Sequence, residues 1–173
     1  MIRPVILETP RLILRPHQLE DYSSMLRLWT SPEVTRFTSG NRPSTREEIW
    51  QRLLRYAGLW SLLGFGYFAI TDKTSGAFLG EAGLADFHRQ IDPSLDGHAE
   101  AGWAVIPDHW GNGFAREAVV AILGWHAGVT DRRPVACIIN PENGVSVRLA
   151  RDVGFRKKAM TTYNGNPCLL MEL

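Results

Sequence analysis

Between Glu100 and Glu117 an apolar run is stopped by Pro107, and Gly111 and Gly113 follow in a short loop. Directly after them begins a helix pattern with Ala115, Ala118, Val119, Ile122 and Trp125 on one face. Proline cannot donate to a sheet ladder, so Pro107 marks a strand end. A strand, a glycine loop and a helix in this order place a helix N-terminus at the tip of a strand. The first turn of a helix carries N–H groups without intrahelical acceptors and a partial positive charge, which suits an anion. Gly111 and Gly113 remove side chains that would hold a phosphate away from those amides. Each such dipole interaction contributes up to about 1–2 kcal/mol in a sheltered geometry, so a pyrophosphate gathered on several amides needs no lysine.

Several ligands use this device. A dinucleotide fold requires a third glycine where Arg116 stands, and Asp131, twenty residues beyond Gly111, lies in a polar loop rather than at a strand end. A nucleoside-triphosphate loop requires Gly-Lys-Ser/Thr, which is absent. A plain glycine turn between strand and helix is the remaining alternative.

The rest of the chain reads as one mixed α/β (α+β) domain over residues 1–173, without repeats or linkers. Leu12 to Arg15 alternate as a strand closed by Pro16. Tyr22, Met25, Leu26 and Trp29 form one helix face, which Pro32 ends. Ser44 and Glu47 form a capping-box pair for a helix with Ile49, Trp50, Leu53, Leu54 and Ala57 inward and Gly58 as terminator. Phe65–Thr71 and Ala77–Phe87 flank a turn at Asp72–Gly76. Pro134–Ile139 is a short apolar strand. Asn143 caps a helix carrying Val145, Leu149 and Val153, with Gly154 at its C-terminus. Phe155–Tyr163 and Pro167–Leu173 pair around Asn164-Gly165-Asn166.

In this setting Trp110-Gly111-Asn112-Gly113-Phe114-Ala115 resembles the acetyl-CoA loop of the GNAT acetyltransferase superfamily, Gln/Arg-x-x-Gly-x-Gly/Ala, matching at Gly113 and Ala115 and departing at Trp110. An aromatic there is similar to the branch that acetylates ribosomal-protein N-termini, the Rim type. The opening Thr9-Pro10-Arg11-Leu12-Ile13-Leu14-Arg15 resembles that branch too, as does Asn143-Gly144-Val145-Ser146 leading to Val153-Gly154-Phe155. The resemblance implies a mostly antiparallel sheet with a splayed strand pair, flanked by helices. It implies acetyl-CoA as co-substrate and acetyl transfer to a primary amine, a protein N-terminal α-amine first and a small-molecule amine as the alternative. A third reading is an acyl-CoA-binding module without catalysis.

The resemblance also implies site residues. The backbone of Ala104, Val105 and Ile106 would meet the pantetheine amides, and the loop Gly111, Asn112, Gly113, Phe114, Ala115 and Arg116 the pyrophosphate. Arg116 is equally a solvent-facing helix arginine. Glu100 is the candidate base, or else a strand glutamate paired with an arginine; His98 is the reserve. Many GNAT enzymes use a tyrosine to protonate the thiolate, and Ala150 stands at that position. The Rim-type substitute is Ser146, with Asn143 holding the cofactor arm, although both residues can also serve as a helix cap. Trp29, Trp50 and Trp60 fall in the segment that lines the acceptor site.

Composition bounds the partners. The net charge is +1 with no long run of either sign, so no nucleic acid is expected. The longest apolar run, Ala118–Trp125, falls far short of the roughly 20 residues a bilayer needs, and the opening has no signal-peptide core around Arg3 and Pro4. Cys137 and Cys168 sit in apolar surroundings as buried reduced thiols, which fits a cytoplasmic protein. His17, His88, His109 and His126 show no metal-ligand spacing, so no metal is expected. Nothing in the pattern sets a number of subunits.

Overall fold

The apolar runs pair into one eight-stranded sheet of order β1-β2-β3-β4-β5-β6-β8-β7. The computed structural model describes residues 5–38, 40–129 and 133–173; Arg3, Pro4 and Asp131, weighed above, lie outside them. β1 (Leu7–Glu8), β2 (Leu12–Pro16), β3 (Tyr67–Asp72), β4 (Phe78–Ala85) and β5 (Ala99–Val105) are antiparallel in turn. β6 (Val135–Ile139) runs parallel to β5 and antiparallel to β8 (Asn166–Glu172), which pairs with β7 (Arg156–Tyr163). Local turn chemistry sets two of the hairpins. Asp72 Oδ1 accepts from the Thr74 and Ser75 N–H groups, and Gly76 takes φ +73°. Asn164 and Gly165, at φ +49° and +77°, supply the two left-handed residues that a tight hairpin needs.

The parallel pair is short. β5 and β6 meet only at Ala99–Val135 and Glu100–Ala136, whereas β5 stays on β4 from Glu100 to Val105. Beyond Glu100 the two strands splay, as the resemblance implied.

Helices cover both faces. Alternation along β3 sends Phe68 and Ile70 into the core with Ala118, Val119 and Ile122 of α4 (Phe114–Ala127), and Tyr67 into the core with Met25 and Leu28 of α1 (Tyr22–Trp29). Three helix boundaries differ from the sequence reading. Pro32 opens α2 (Pro32–Thr35) as well as closing α1, because proline at the first helical position loses no hydrogen bond and Ser31 caps it. The capping box of α3 (Arg46–Leu63) is Thr45 with Glu48, one residue late, because the Ser44 N–H is already bonded to the Trp29 carbonyl. Gly58 does not end α3, which runs to Gly64 at φ +73°. Burial of Leu59 and the bond from Trp60 Nε1 to the Tyr67 carbonyl outweigh the ~1 kcal/mol cost of a helical glycine. α5 (Gly144–Asp152) begins at Asn143 as expected, but buries Val147 and Ala150 and leaves Val145 exposed.

Candidate active site

The loop before α4 is built to leave its amides bare. Gly113, at φ +77°, is the N-cap of α4 and has no side chain to cap with, so the first N–H groups of the helix are left without an intrahelical acceptor. Gly111 is also left-handed, at φ +75°. Asn112 turns inward to the carbonyls of His109 and Trp110, and Arg116 is exposed. The Thr9–Leu12 turn holds this corner. Thr9 Oγ1, the Arg11 backbone N–H and Arg11 Nε all donate to the carboxylate of Glu117 on α4, while Arg11 Nη1 bonds the Asn112 carbonyl at 2.9 Å.

The splay presents backbone from alternate residues. The Ile106 N–H bonds the Leu79 carbonyl at 2.8 Å, which sets the phase of the β4–β5 ladder. By alternation Ala104 also faces β4, while Val105, Trp103 and Ala101 turn their main-chain groups into the splay. Of Ala104, Val105 and Ile106, only Val105 therefore offers main chain to a ligand there, and its carbonyl already accepts from Trp110 Nε1 at 2.7 Å. Trp103, which the sequence reading passed over, is its counterpart.

α5 forms the opposite wall. Asn143 Oδ1 accepts from the Ser146 N–H at 3.2 Å, the capping role foreseen for it, and leaves its amide nitrogen uncommitted to that bond. Ser146 Oγ accepts from Trp103 Nε1 at 3.3 Å, joining α5 to β5 across the splay. Ala150 is fully buried.

On the α3 side of β5 lies an open groove of about 990 Å³, lined among others by Trp29, Arg52, Tyr56, Tyr67, Arg89 and Trp103. Two buried carboxylates stand at its base. Glu100 is paired with Arg89, which donates Nε to Oε2 at 2.6 Å and Nη2 to Oε1 at 2.9 Å, the second of the two arrangements its sequence position allowed. Glu81 on β4 is fully buried; it accepts from the Tyr56 hydroxyl and has His17 Nε2 at 3.5 Å. Burial pushes the Glu81 carboxyl up, but His17, Arg52 and Tyr56 outweigh burial and the net shift is downward. Tyr56 stacks on Tyr67 with centroids 4.5 Å apart. A Cβ on Gly102 would lie 2.0 Å from the Tyr67 hydroxyl, so that tyrosine reaches over β5 only because residue 102 is glycine. Burial and the charges of Glu100 and Glu81 push the Tyr67 phenol well above its usual range.

Other expectations are corrected by position. His98 precedes β5 and borders a small cavity together with Glu100 and Arg89, while its Nε2 lies 3.7 Å from Glu172 Oε1. Trp29 lines the groove. Trp50 packs edge-on against Tyr22, and Trp60 packs on Phe68 and Trp125 in the core. His17 is not an idle histidine but the partner of Glu81, and only the pairing of β2 with β3 and of β3 with β4 reveals it. Cys137 and Cys168 are free and buried. Among the described residues no helix is long and apolar enough to cross a membrane.

A splayed sheet beside an uncapped glycine corner offers the places that an acyl-CoA-dependent acyltransferase needs. Residues 11–156 match the acetyltransferase (GNAT) domain, and the chain belongs to that family as an N-acetyltransferase. It is 30% identical over 155 residues to the uncharacterized N-acetyltransferase p20 of Bacillus licheniformis, covering 89% of this chain and 84% of that one. A Bordetella pertussis protein described as a GNAT-family acetyltransferase superposes with a TM-score of 0.83 at 34% identity, over 97% of this chain and 98% of that chain. RimL, a ribosomal L7/L12 alpha-N-protein acetyltransferase solved with coenzyme A, shares the fold with a TM-score of 0.79 at 15% identity, over 98% and 97% of the two chains.

Proposed function

We propose that residues 1–173 act as one domain that moves the acetyl group of acetyl-CoA to a primary amine, first of all a protein N-terminal α-amine, in the groove between α3 and β5. The observation that carries this reading is the double use of β5. Its main chain faces the splay while Gly102 and Trp103 line the groove, so a cofactor in one and an amine in the other meet along the same strand. The α-amine is supported by chemistry and by fold likeness. It titrates near pH 7.7–8.0, so roughly a tenth is neutral at pH 7, whereas a lysine amine is almost wholly charged. RimL carries that acceptor in its name. The buried thiols Cys137 and Cys168 fit a cytoplasmic protein.

The chain fits acetyl-CoA at three places. The bare N–H groups from Gly113 to Arg116 suit the pyrophosphate, and the Val105 and Trp103 main chain suits the amides of the pantetheine arm. Asn143, the cap of α5 beside Ser146, would hold the arm from the other side. When bound, the thioester supplies an activated carbonyl and a thiolate leaving group. A strand N–H in the splay serves as the oxyanion donor. Ser146, whose oxygen accepts from Trp103, keeps its own hydroxyl hydrogen for a thiolate. The amine proton leaves through Tyr56: the phenol oxygen takes it as the phenol hydrogen passes to Glu81.

The test is CoA release with a panel of peptides bearing free α-amines, the same peptides blocked at that amine, and small primary amines. Release with free but not blocked peptides is expected. Release with small amines alone overturns the protein acceptor, and release with none overturns catalysis.

A further inference from the structure

The groove holds guanidinium groups that no carboxylate among the described residues satisfies. Arg42 is paired with Glu48 and Arg89 with Glu100. Arg52 and Arg55, one turn apart on the same face of α3, have no carboxylate within 4.0 Å among the described residues, and neither has Arg36 at the rim. Arg52 is the more telling of the two. Its guanidinium lies 3.7 Å over the ring of Trp29, its Nε is buried without a partner, and among the described residues its one hydrogen bond is Nη1 to the Tyr56 hydroxyl at 3.4 Å. Arg55 lies 5.0 Å over Phe87 across the groove. A buried donor without an acceptor is costly, and two like charges at this helical spacing repel, so an arrangement of this kind is relieved by a bound anion. The planar donors of Arg52, fixed by stacking, match a carboxylate in particular. Glu81, on the far side of Tyr56, offsets part of the Arg52 charge but bonds Tyr56 and leaves the guanidinium donors unused.

We propose that Arg52 and Arg55 form an anion subsite, so that the acceptor carries a carboxylate a few bonds from its reacting amine. The inference rests on the acetyltransferase reading and narrows it. The carboxylate comes either from an acidic side chain near a peptide N-terminus or from the main chain of a free amino acid.

Matched acceptors test it: peptides with aspartate or asparagine at the second position, and alanine beside its α-amide. Wild type should favour the charged member of at least one pair by about tenfold in kcat/KM, through KM, and the pair that responds identifies the source. Arg55→Gln, at an exposed position, should remove that preference while leaving the neutral member unchanged, and Arg55→Lys should restore part of it. Equal use of charged and neutral members, or an equal loss for both in Arg55→Gln, overturns the subsite. If no acceptor turns over, the parent reading has failed, and calorimetry with N-acetylaspartate and succinate decides the subsite alone. Binding weakened about tenfold in Arg55→Gln supports it, and identical or absent binding overturns it.

Discussion

Glu81 and Glu100 are buried carboxylates on neighbouring strands, and their partners separate their roles. Arg89 engages both oxygens of Glu100, whereas Glu81 has one oxygen on Tyr56 and Oε2 without a hydrogen bond. Replacing Tyr56 by phenylalanine keeps the stack on Tyr67 and breaks the path to Glu81. Tyr56→Phe should lower kcat on the order of 10²-fold with acetyl-CoA affinity unchanged. Glu100→Gln should instead act on KM, by releasing Arg89. Pre-steady-state rates and titrations of both variants check this, and a loss of kcat confined to Glu100→Gln would return the base to Glu100. Ser146→Ala should slow turnover if the hydroxyl meets the departing sulfur. The Asn143 cap of α5 uses the Ser146 backbone, so the fold should hold. None of the Glu81 cluster could be read from the sequence, because His17, Tyr56 and Glu81 come from three distant segments. Their meeting depends on strand order, and each looks ordinary alone.

At the scale of elements, the sequence was legible where the cause of structure is short-ranged. The Asp72–Gly76 and Asn164–Gly165 turns, the glycine corner at Gly113 and the Asn143 cap are all set by residues within a few positions of one another. It misled where packing or a competing bond intervened, as at Gly58 and Ser44, and where ladder phase decides, as at Ala104 and Ile106. The opening motif gains a physical role as well: Thr9 and Arg11 fasten α4 through Glu117. Burial raises the Glu117 carboxyl, but bonds from Thr9 and Arg11 prevail and its net shift is downward. A depressed folded value means stability that is present above the unfolded value, near 4.3, and lost as pH falls through the folded one. Glu117→Gln should therefore cost about 1 kcal/mol at pH 7, a modest figure because Arg11 is half exposed. Melting curves of variant and wild type should draw together as pH falls below the unfolded value and meet once it has passed the lower folded one, where Glu117 is protonated in both states. A constant gap across pH would show that the carboxylate charge contributes nothing.

The whole molecule is a sheet in two parts, β1–β5 and β6–β8, joined through the two register pairs at Ala99 and Glu100. A ligand that spans the splay and reaches the α4 corner ties both parts to one helix, and it stabilises the fold by mass action. At a hundred times its dissociation constant acetyl-CoA contributes about 2.7 kcal/mol, which for a chain of this size is a rise of roughly 5–11 °C in Tm. Gly113 tests whether that stabilisation runs through the bare amides. Its φ of +77° makes any side chain strained, so Gly113→Ala should lower the Tm of the free protein by the equivalent of about 1 kcal/mol. The space itself is open, since the nearest atom to an added Cβ is Arg11 Nη2 at 3.6 Å. Any further loss on the ligand side therefore reports the ligand, not a clash within the protein. With the cradle at this corner, acetyl-CoA should raise the Tm of Gly113→Ala by clearly less than it raises wild type, with affinity down about tenfold, equivalent to about 1.4 kcal/mol. A lower starting Tm with an undiminished rise would leave Gly113 as a turn glycine and remove the pyrophosphate from the α4 N-terminus.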